Sequence, residues 1–430
     1  MTRPTVLVRM ADAGDLYMSW RWVGETAPRG ASMLPGTPID EAVRRLADAL
    51  PDPSDPDGLE RALRTGAFAD HDTEYLLAQS LSRALLPVGL AEQLAELHQR
   101  GIRPHIRLQP SPRVAQVPWE IIAPAPTLRL IDIADLSLLA PAGIVHAPGR
   151  VARCWTDDRD LPIVAVLDPR IPGFRADSAL GSVLGRMSTA TPLIERITEY
   201  LSRQRLSPAV TDPADAFRRT DLDRGWLSDT LRQGASRLIY VGHVTAAAPE
   251  SGRSENAELH LACTADTRGF AEPTRTHRPL SAKDLLLGTH TLDPEPVAGG
   301  ELWPIPSRVA LIACESGGDL RFSEALGLTA AMLNGGAELV TASRWPLPTD
   351  LAFQRIAGTA PGTRPLQSAI CAIDTAHEHP DPVTTLADWQ REQLANWRTL
   401  RTIEYSPLLW SAFATVDTAT DTHPTVSPPS

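Results

Sequence analysis

Residues 308–318 read Arg308-Val309-Ala310-Leu311-Ile312-Ala313-Cys314-Glu315-Ser316-Gly317-Gly318. An apolar run with no polar interruption meets a cysteine and then a turn of small residues. A continuous run, as opposed to an alternating one, predicts a strand buried on both faces, as in a parallel sheet covered by helices. Three more runs of this kind stand at residues 163–167, 238–241 and 339–342. Helical patterns lie between them, near 193–203, 223–233 and 322–334. The last sets Ala325, Leu328, Thr329 and Met332 on one face and stops at Gly335-Gly336. Strand–helix alternation predicts a doubly wound, mostly parallel α/β sheet with helices on both faces.

Upstream, apolar segments 5–10 and 17–23 flank the turn-forming Asp12-Ala13-Gly14-Asp15, which predicts a hairpin. Pro51-Asp52-Pro53-Ser54-Asp55-Pro56 separates two helical patterns. Leu77, Leu81, Leu85, Leu90, Leu94 and Leu97 recur at helical spacing, with Pro87 and Gly89 splitting the stretch. A strand near 105–108 and the segment Val117-Pro118-Trp119-Glu120-Ile121-Ile122 follow. The expected organisation is an N-terminal α+β region over residues 1–150, a main domain over 151–417 and a Thr/Pro/Ser-rich tail, 418–430, of disordered composition. Loops at 245–256, 264–279 and 288–306 are long enough to be functional in a compact domain.

Composition removes several function classes. Hydrophobic residues make up 43% and charged residues 22% of the 430, the balance of a soluble globular chain. No apolar run approaches the roughly 18 residues of a membrane span, and the N-terminus lacks a charged head followed by an apolar core. A cytoplasmic protein with no membrane partner is expected. Net charge is −11 and the 41 basic residues are scattered, with Lys283 the only lysine. No basic stripe exists to neutralise phosphates, so no nucleic-acid partner is expected. Cys154, Cys263, Cys314 and Cys371 form no C-x-x-C pair and are too few for a disulfide framework. His260 and Cys263 have no second ligand pair, so no metal site is expected. Ser251 and Ser254 lie in no G-x-S-x-G elbow.

Two of the apolar runs end in a reactive residue: Tyr240-Val241-Gly242-His243 and Ala313-Cys314. In open parallel sheets the working crevice lies beyond the carboxyl ends of the strands, so His243 and Cys314 are candidates for one rim. A free thiol with a pKa of about 8.5 is mostly protonated at neutral pH. An imidazole beside it takes the proton and later returns it to a leaving amine. The developing oxyanion needs preorganised N–H donors. The small-residue turn Ser316-Gly317-Gly318, leading into a helix whose N-terminus would favour a thiolate, is the expected source, with Glu315 either orienting the turn or solvated.

Several segments, in order, resemble the CHAT domain, a caspase-like cysteine peptidase module of the clan that includes separase, legumain and gingipain. They are Pro118-Trp119-Glu120-Ile121-Ile122, Tyr240-Val241-Gly242-His243, Pro279-Leu280-Ser281-Ala282-Lys283-Asp284-Leu285-Leu286 and Ala313-Cys314-Glu315-Ser316-Gly317. Gly335-Gly336-Ala337, Ser343-Arg344-Trp345-Pro346-Leu347 and Leu409-Trp410-Ser411-Ala412-Phe413 complete the set. The resemblance implies a caspase-like fold and a cysteine endopeptidase with His243 as acid/base and Cys314 as nucleophile. It also implies no metal or organic cofactor, and a protein substrate or effector as partner, in a bacterial signalling or defence setting. It allows the region 1–150 to be an accessory or degenerate caspase-like unit. The His–Cys segment is longer than the roughly 50 residues of caspases proper.

One position departs from the pattern. The clan usually has glycine after the catalytic histidine, with its N–H on the oxyanion; here it is Val244. Valine rarely adopts the positive φ that glycine allows, so a catalytically inactive scaffold is the alternative reading. Trp345 and Asp350 are candidates for a substrate pocket, with a helix-capping role as the other reading of Asp350. Arg268, Arg275 and Arg278 in the 264–279 loop are candidate self-processing positions.

Overall fold

The computed structural model describes residues 3–24, 27–188 and 191–418. Of the tail expected at 418–430 only Thr418 is among them; the rest of that expectation lies outside the described residues. In chain order the strands are β1 (Thr5–Ala13), β2 (Asp15–Trp22), β3 (Arg29–Leu34), β4 (His105–Gln109), β5 (Asp135–Leu139), β6 (Ile163–Leu167) and β7 (Leu206–Ser207). They continue with β8 (Arg237–Val241), β9 (Val244–Thr245), β10 (Glu258–Leu259), β11 (Leu280–Ser281), β12 (Arg308–Ile312), β13 (Leu339–Ser343) and β14 (Phe413–Asp417).

Eleven strands form one sheet in the order β3-β2-β1-β4-β5-β14-β13-β12-β8-β6-β7. The hairpin turns at Gly14, whose φ of 81 suits glycine. From β1 to β14 neighbours run parallel, and from β13 to β7 they run parallel again. The two blocks meet antiparallel at β13–β14. The expected doubly wound, mostly parallel α/β sheet is the one observed.

Every residue of β6, β8, β12 and β13 is buried, which is why these segments carry no alternating pattern. Full burial of each Val, Leu or Ile stabilises by about 1.5–3 kcal/mol. Helices cover both faces. Thr341 Oγ1 lies 2.7 Å from His377 Nε2 in the helix Pro365–Glu378. Its neighbour Ala342 points the other way, toward Thr329 and Ala330 of the helix Leu328–Asn334. Among the described residues no helix is long and apolar enough to cross a membrane.

Two helical expectations need comment. The leucine-rich stretch splits at Pro87 into His71–Leu85 and Val88–Gln99 as expected. The helix expected from 322 begins only at Leu328. Asp319 takes the N–H of Ala330 at 2.8 Å, and a side chain at Gly327 would strike its carboxylate. The helix therefore starts where its cap allows, well beyond the cysteine turn.

Candidate active site

β6, β8 and β12 are neighbours, parallel and in step: Leu167 faces Val241, and Val241 faces Ile312. Paired strands lie about 4.8 Å apart. Asp168 follows β6 directly, while His243 and Cys314 each stand two residues past the β8 and β12 ends. All three leave the sheet at the same rim.

Gly242 is required for space: a Cβ there would come within 2.7 Å of Tyr240 Oη and 3.3 Å of Pro169 Cδ. Its N–H donates to Ile312 O at 3.3 Å, tying the two strand ends together. The His243 ring is half-buried and its Nε2 lies 3.0 Å from Gly181 O. A carbonyl oxygen only accepts, so Nε2 carries a proton and Nδ1 is the basic nitrogen. Burial pushes the His243 pKa below its ordinary value; the Gly181 carbonyl and the Asp168 carboxylate oppose this, and Arg218 adds to it.

The loop carrying Gly181 is itself clamped. Asp168, with φ 50, accepts from Ser182 Oγ at 2.5 Å, Val183 N at 3.1 Å and Arg218 Nη1 at 3.2 Å. The same Arg218 nitrogen donates to Gly181 O at 3.1 Å. Asp168, Gly181 and Arg218 thus orient the imidazole, and sequence reading missed all three. The available signal was Asp168, a third polar residue ending a buried run at the same rim.

Cys314 is partly exposed. Burial raises its thiol pKa above the ordinary value and the Glu315 carboxylate adds to this, while N–H groups of Leu347 and of Cys314 itself favour the thiolate. Glu315 takes the left-handed φ of 53, uncommon outside glycine and found where a turn is functionally constrained. Its carboxylate pairs with Arg321 and accepts from Gln116 Nε2 at 3.3 Å.

The turn does not supply free donors. Glu315 N–H goes to Trp345 O, Ser316 N–H to Ala313 O and Ser343 Oγ, and Gly317 N–H to Ser343 O at 2.9 Å. Glu315, Ser316 and Gly317 pin the turn onto the end of β13 instead of lining an oxyanion hole. A short 3-10 segment, Gly318–Arg321, follows the turn, so no helix N-terminus points at the sulfur. Among the described residues no carbonyl takes the N–H of Cys314.

Val244 answers the glycine question in another way. It is extended, in β9, and is absent from the positive-φ residues. His260 N–H donates to His243 O at 3.2 Å, so the next pair, Val244–Leu259, is the non-hydrogen-bonded one. The Val244 N–H therefore points away from β10. The backbone turns this N–H off the small sheet without a left-handed residue.

The pocket candidates lie elsewhere. Trp345 is fully buried, stacked on Phe68 at 6.2 Å, with Nε1–H donating to Leu408 O at 3.0 Å. It is a core residue and floors no open pocket. Asp350 Oδ1 accepts from Leu366 N at 2.8 Å, capping the helix Pro365–Glu378 while Thr349 caps Asp350's own helix. Burial raises its pKa to about 6. A small, partly open recess flanks the cysteine turn, lined by Ala246, Ala247, Glu315, Arg321 and Phe322.

Other segments of the resemblance surround the site. Glu120 and Arg344 form a buried ion pair at 2.9 Å, and Arg344 also donates to Ser411 O at 2.7 Å. Gln116 donates to Arg344 O at 3.1 Å. Ser281 and Asp284 form a capping box on the helix Ala282–Leu287, with Asp284 paired to Arg224. Among the described residues no group of three or more His, Cys, Asp or Glu side chains is placed to hold a metal.

A raised thiol pKa and a lowered imidazole pKa leave both groups neutral at rest. Iodoacetamide modification of Cys314, followed site by site by mass spectrometry, is expected to be slow at pH 7. It should still be climbing at pH 9, because the thiolate forms only above the ordinary thiol range. A plateau reached by pH 7 would mean a thiolate–imidazolium pair instead.

The CHAT domain family matches residues 76–416. No curated protein matches the chain. Among solved structures, two crystal structures of the Saccharomyces cerevisiae separase–securin complex, at 3.0 and 2.6 Å resolution, are similar at 10% identity, with TM-scores of 0.48 and 0.46. Each match covers 96% of this chain and 30% of the other, so the chain spans under a third of those proteins' length. The family match takes in most of the sequence and all the rim residues described above from Gln116 to Ser411: the protein belongs to the CHAT domain family.

Proposed function

We propose that this protein is a cysteine endopeptidase that cleaves selected protein partners, with Cys314 as nucleophile and His243 as acid and base. One observation carries the reading: β8 and β12 pair directly, parallel and in register, and each is followed two residues on by one member of the pair. Both groups rest neutral, so attack and proton transfer go together. Sγ bonds to the peptide carbonyl carbon while Nδ1 takes the thiol proton, and the carbonyl electrons move to oxygen. The N–H groups of Cys314 and Val244 hold that oxyanion. Its collapse expels the amine, which takes the proton from the imidazolium and leaves a thioester. Water then attacks the thioester as His243 takes its proton; the acid departs and the thiol is restored.

In this reading residues 151–417 are the catalytic unit and 1–150 an accessory one, joined through the β5–β14 pairing. A role in bacterial signalling or defence rests on the family resemblance alone, and a cytoplasmic location on the sequence pattern alone. The alternative, an inactive module that binds a partner, is favoured by the raised thiol pKa. A panel of peptide acyloxymethyl ketones separates the two. An enzyme is expected to be labelled at Cys314 by some members, and to lose that labelling in His243→Ala. Labelling indifferent to His243 would end the peptidase reading.

A further inference from the structure

A second polar assembly lies behind the rim, in the small antiparallel sheet β11-β10-β9. His260 and His277 are 2% and 0% exposed, with ring centroids 5.2 Å apart. His277 Nδ1 lies 2.8 Å from Cys263 O, His260 Nδ1 lies 3.0 Å from His277 Nε2, and His260 Nε2 lies 2.8 Å from Thr245 Oγ1.

The proton positions follow from the far end. Cys263 O can only accept, so His277 Nδ1 carries hydrogen. In the neutral ring its Nε2 is then bare and accepts from His260 Nδ1–H. That leaves His260 Nε2 bare, and the Thr245 hydroxyl donates to it. Burial lowers both imidazole pKa values, that of His260 to about 3, so both rings are neutral at ordinary pH. The chain runs one way, and every ring nitrogen is satisfied.

Its outer end is Thr245, the residue after Val244. β9 is only two residues long; the hydrogen-bonded pairs His243–His260 and Thr245–Glu258 stand on either side of Val244, and beyond Thr245 the pairing ends. The Thr245 side chain adds a further tie at that open end. At the strand's other end, Tyr240 Oη lies 2.6 Å from His243 O and 2.9 Å from His260 O, which ties His260 to the dyad's own backbone. An apolar pair would fill the same space without two ring N–H groups to satisfy; what the imidazoles add is direction.

We propose that His260 and His277 are positioning residues, a one-way relay that locks Thr245 and so aims the Val244 N–H at the substrate oxyanion. The proposal rests on the peptidase reading. Its test uses the full chain and two reagents. Acetyl-tetrapeptide aldehydes of varied final residue add the Cys314 thiol across C=O, with the proton moving to oxygen, so their affinity depends on the oxyanion donors. Iodoacetamide alkylates sulfur with loss of iodide and needs no such donors. Thr245→Val, at an exposed position, and His277→Leu are expected to weaken aldehyde binding about tenfold, with iodoacetamide rates within about twofold of wild type. In His277→Gln, Oε1 takes the place of Nε2 as acceptor, and binding is expected to return to near the wild-type value. Unchanged aldehyde binding in Thr245→Val overturns the relay, as does an equal loss with both reagents. If the wild type binds no aldehyde, the peptidase reading fails first and takes this inference with it.

Discussion

Cys314→Ala is expected to leave no peptide cleavage above background, and His243→Ala to lower kcat by about 10²–10⁴-fold, the usual contribution of a positioned acid–base group. The two should not add. Without the sulfur there is nothing for the imidazole to deprotonate, so the double variant should be no worse than Cys314→Ala alone. His243→Ala also separates two effects that a single rate confuses. The neutral imidazole barely shifts the resting thiol, whose pKa is set chiefly by burial, so iodoacetamide should modify Cys314 at nearly the wild-type rate. A kcat loss without an alkylation loss marks His243 as a base acting in the transition state. A variant that retained most of its turnover would exclude the mechanism. Steady-state kinetics on a cleaved peptide, with the intact fold checked by circular dichroism, supply both readings.

The sequence made the strands legible and left their arrangement open. β6, β8, β12 and β13 are buried on both faces, and that condition writes itself as an unbroken apolar run. Adjacency is not written locally: β8 lies between β6 and β12 through pairings made by residues far apart in the chain. His243 and Cys314 were therefore readable as strand-end residues, while their shared rim needed the topology. Short elements were harder. β9, β10 and β11 have two residues each, too few for any period, so the small sheet was not legible and His260 read only as part of a strand of mixed facing, while the loops expected at 245–256 and 264–279 are largely irregular as expected. The donor expectation failed for a related reason. The composition of Glu315-Ser316-Gly317 signals a turn, and whether its N–H groups are free depends on Ser343 and Trp345, which a distant strand delivers. Val244 avoids positive φ, as expected of valine, because β9 is extended there.

Glu120→Ala is expected to give the largest stability loss of any single change at the rim. Glu120 and Arg344 are 4% and 5% exposed, so removing the carboxylate leaves a guanidinium out of water with its charge uncompensated. Breaking a buried pair from one side costs about 3–5 kcal/mol. For a chain of this size unfolding as one unit, that corresponds to a melting temperature lower by roughly 3–6 °C. Glu120→Gln, which keeps an acceptor for Arg344, should lose less. Replacing both residues by methionine should recover only part, because Ser411 O and Phe413 O would lose the donor that Arg344 gives them. The consequence extends to the site. Arg344 directly follows β13 and leads through Trp345 and Pro346 to Leu347, whose N–H faces the Cys314 sulfur. A loosened Arg344 withdraws that donor and raises the thiol pKa further, so Glu120→Ala should also slow iodoacetamide modification of Cys314 at fixed pH. Scanning calorimetry and the alkylation rate together decide the matter: a normal melting temperature would mean that the pair contributes no net stability, and a normal rate in a destabilised protein would uncouple the brace from the sulfur.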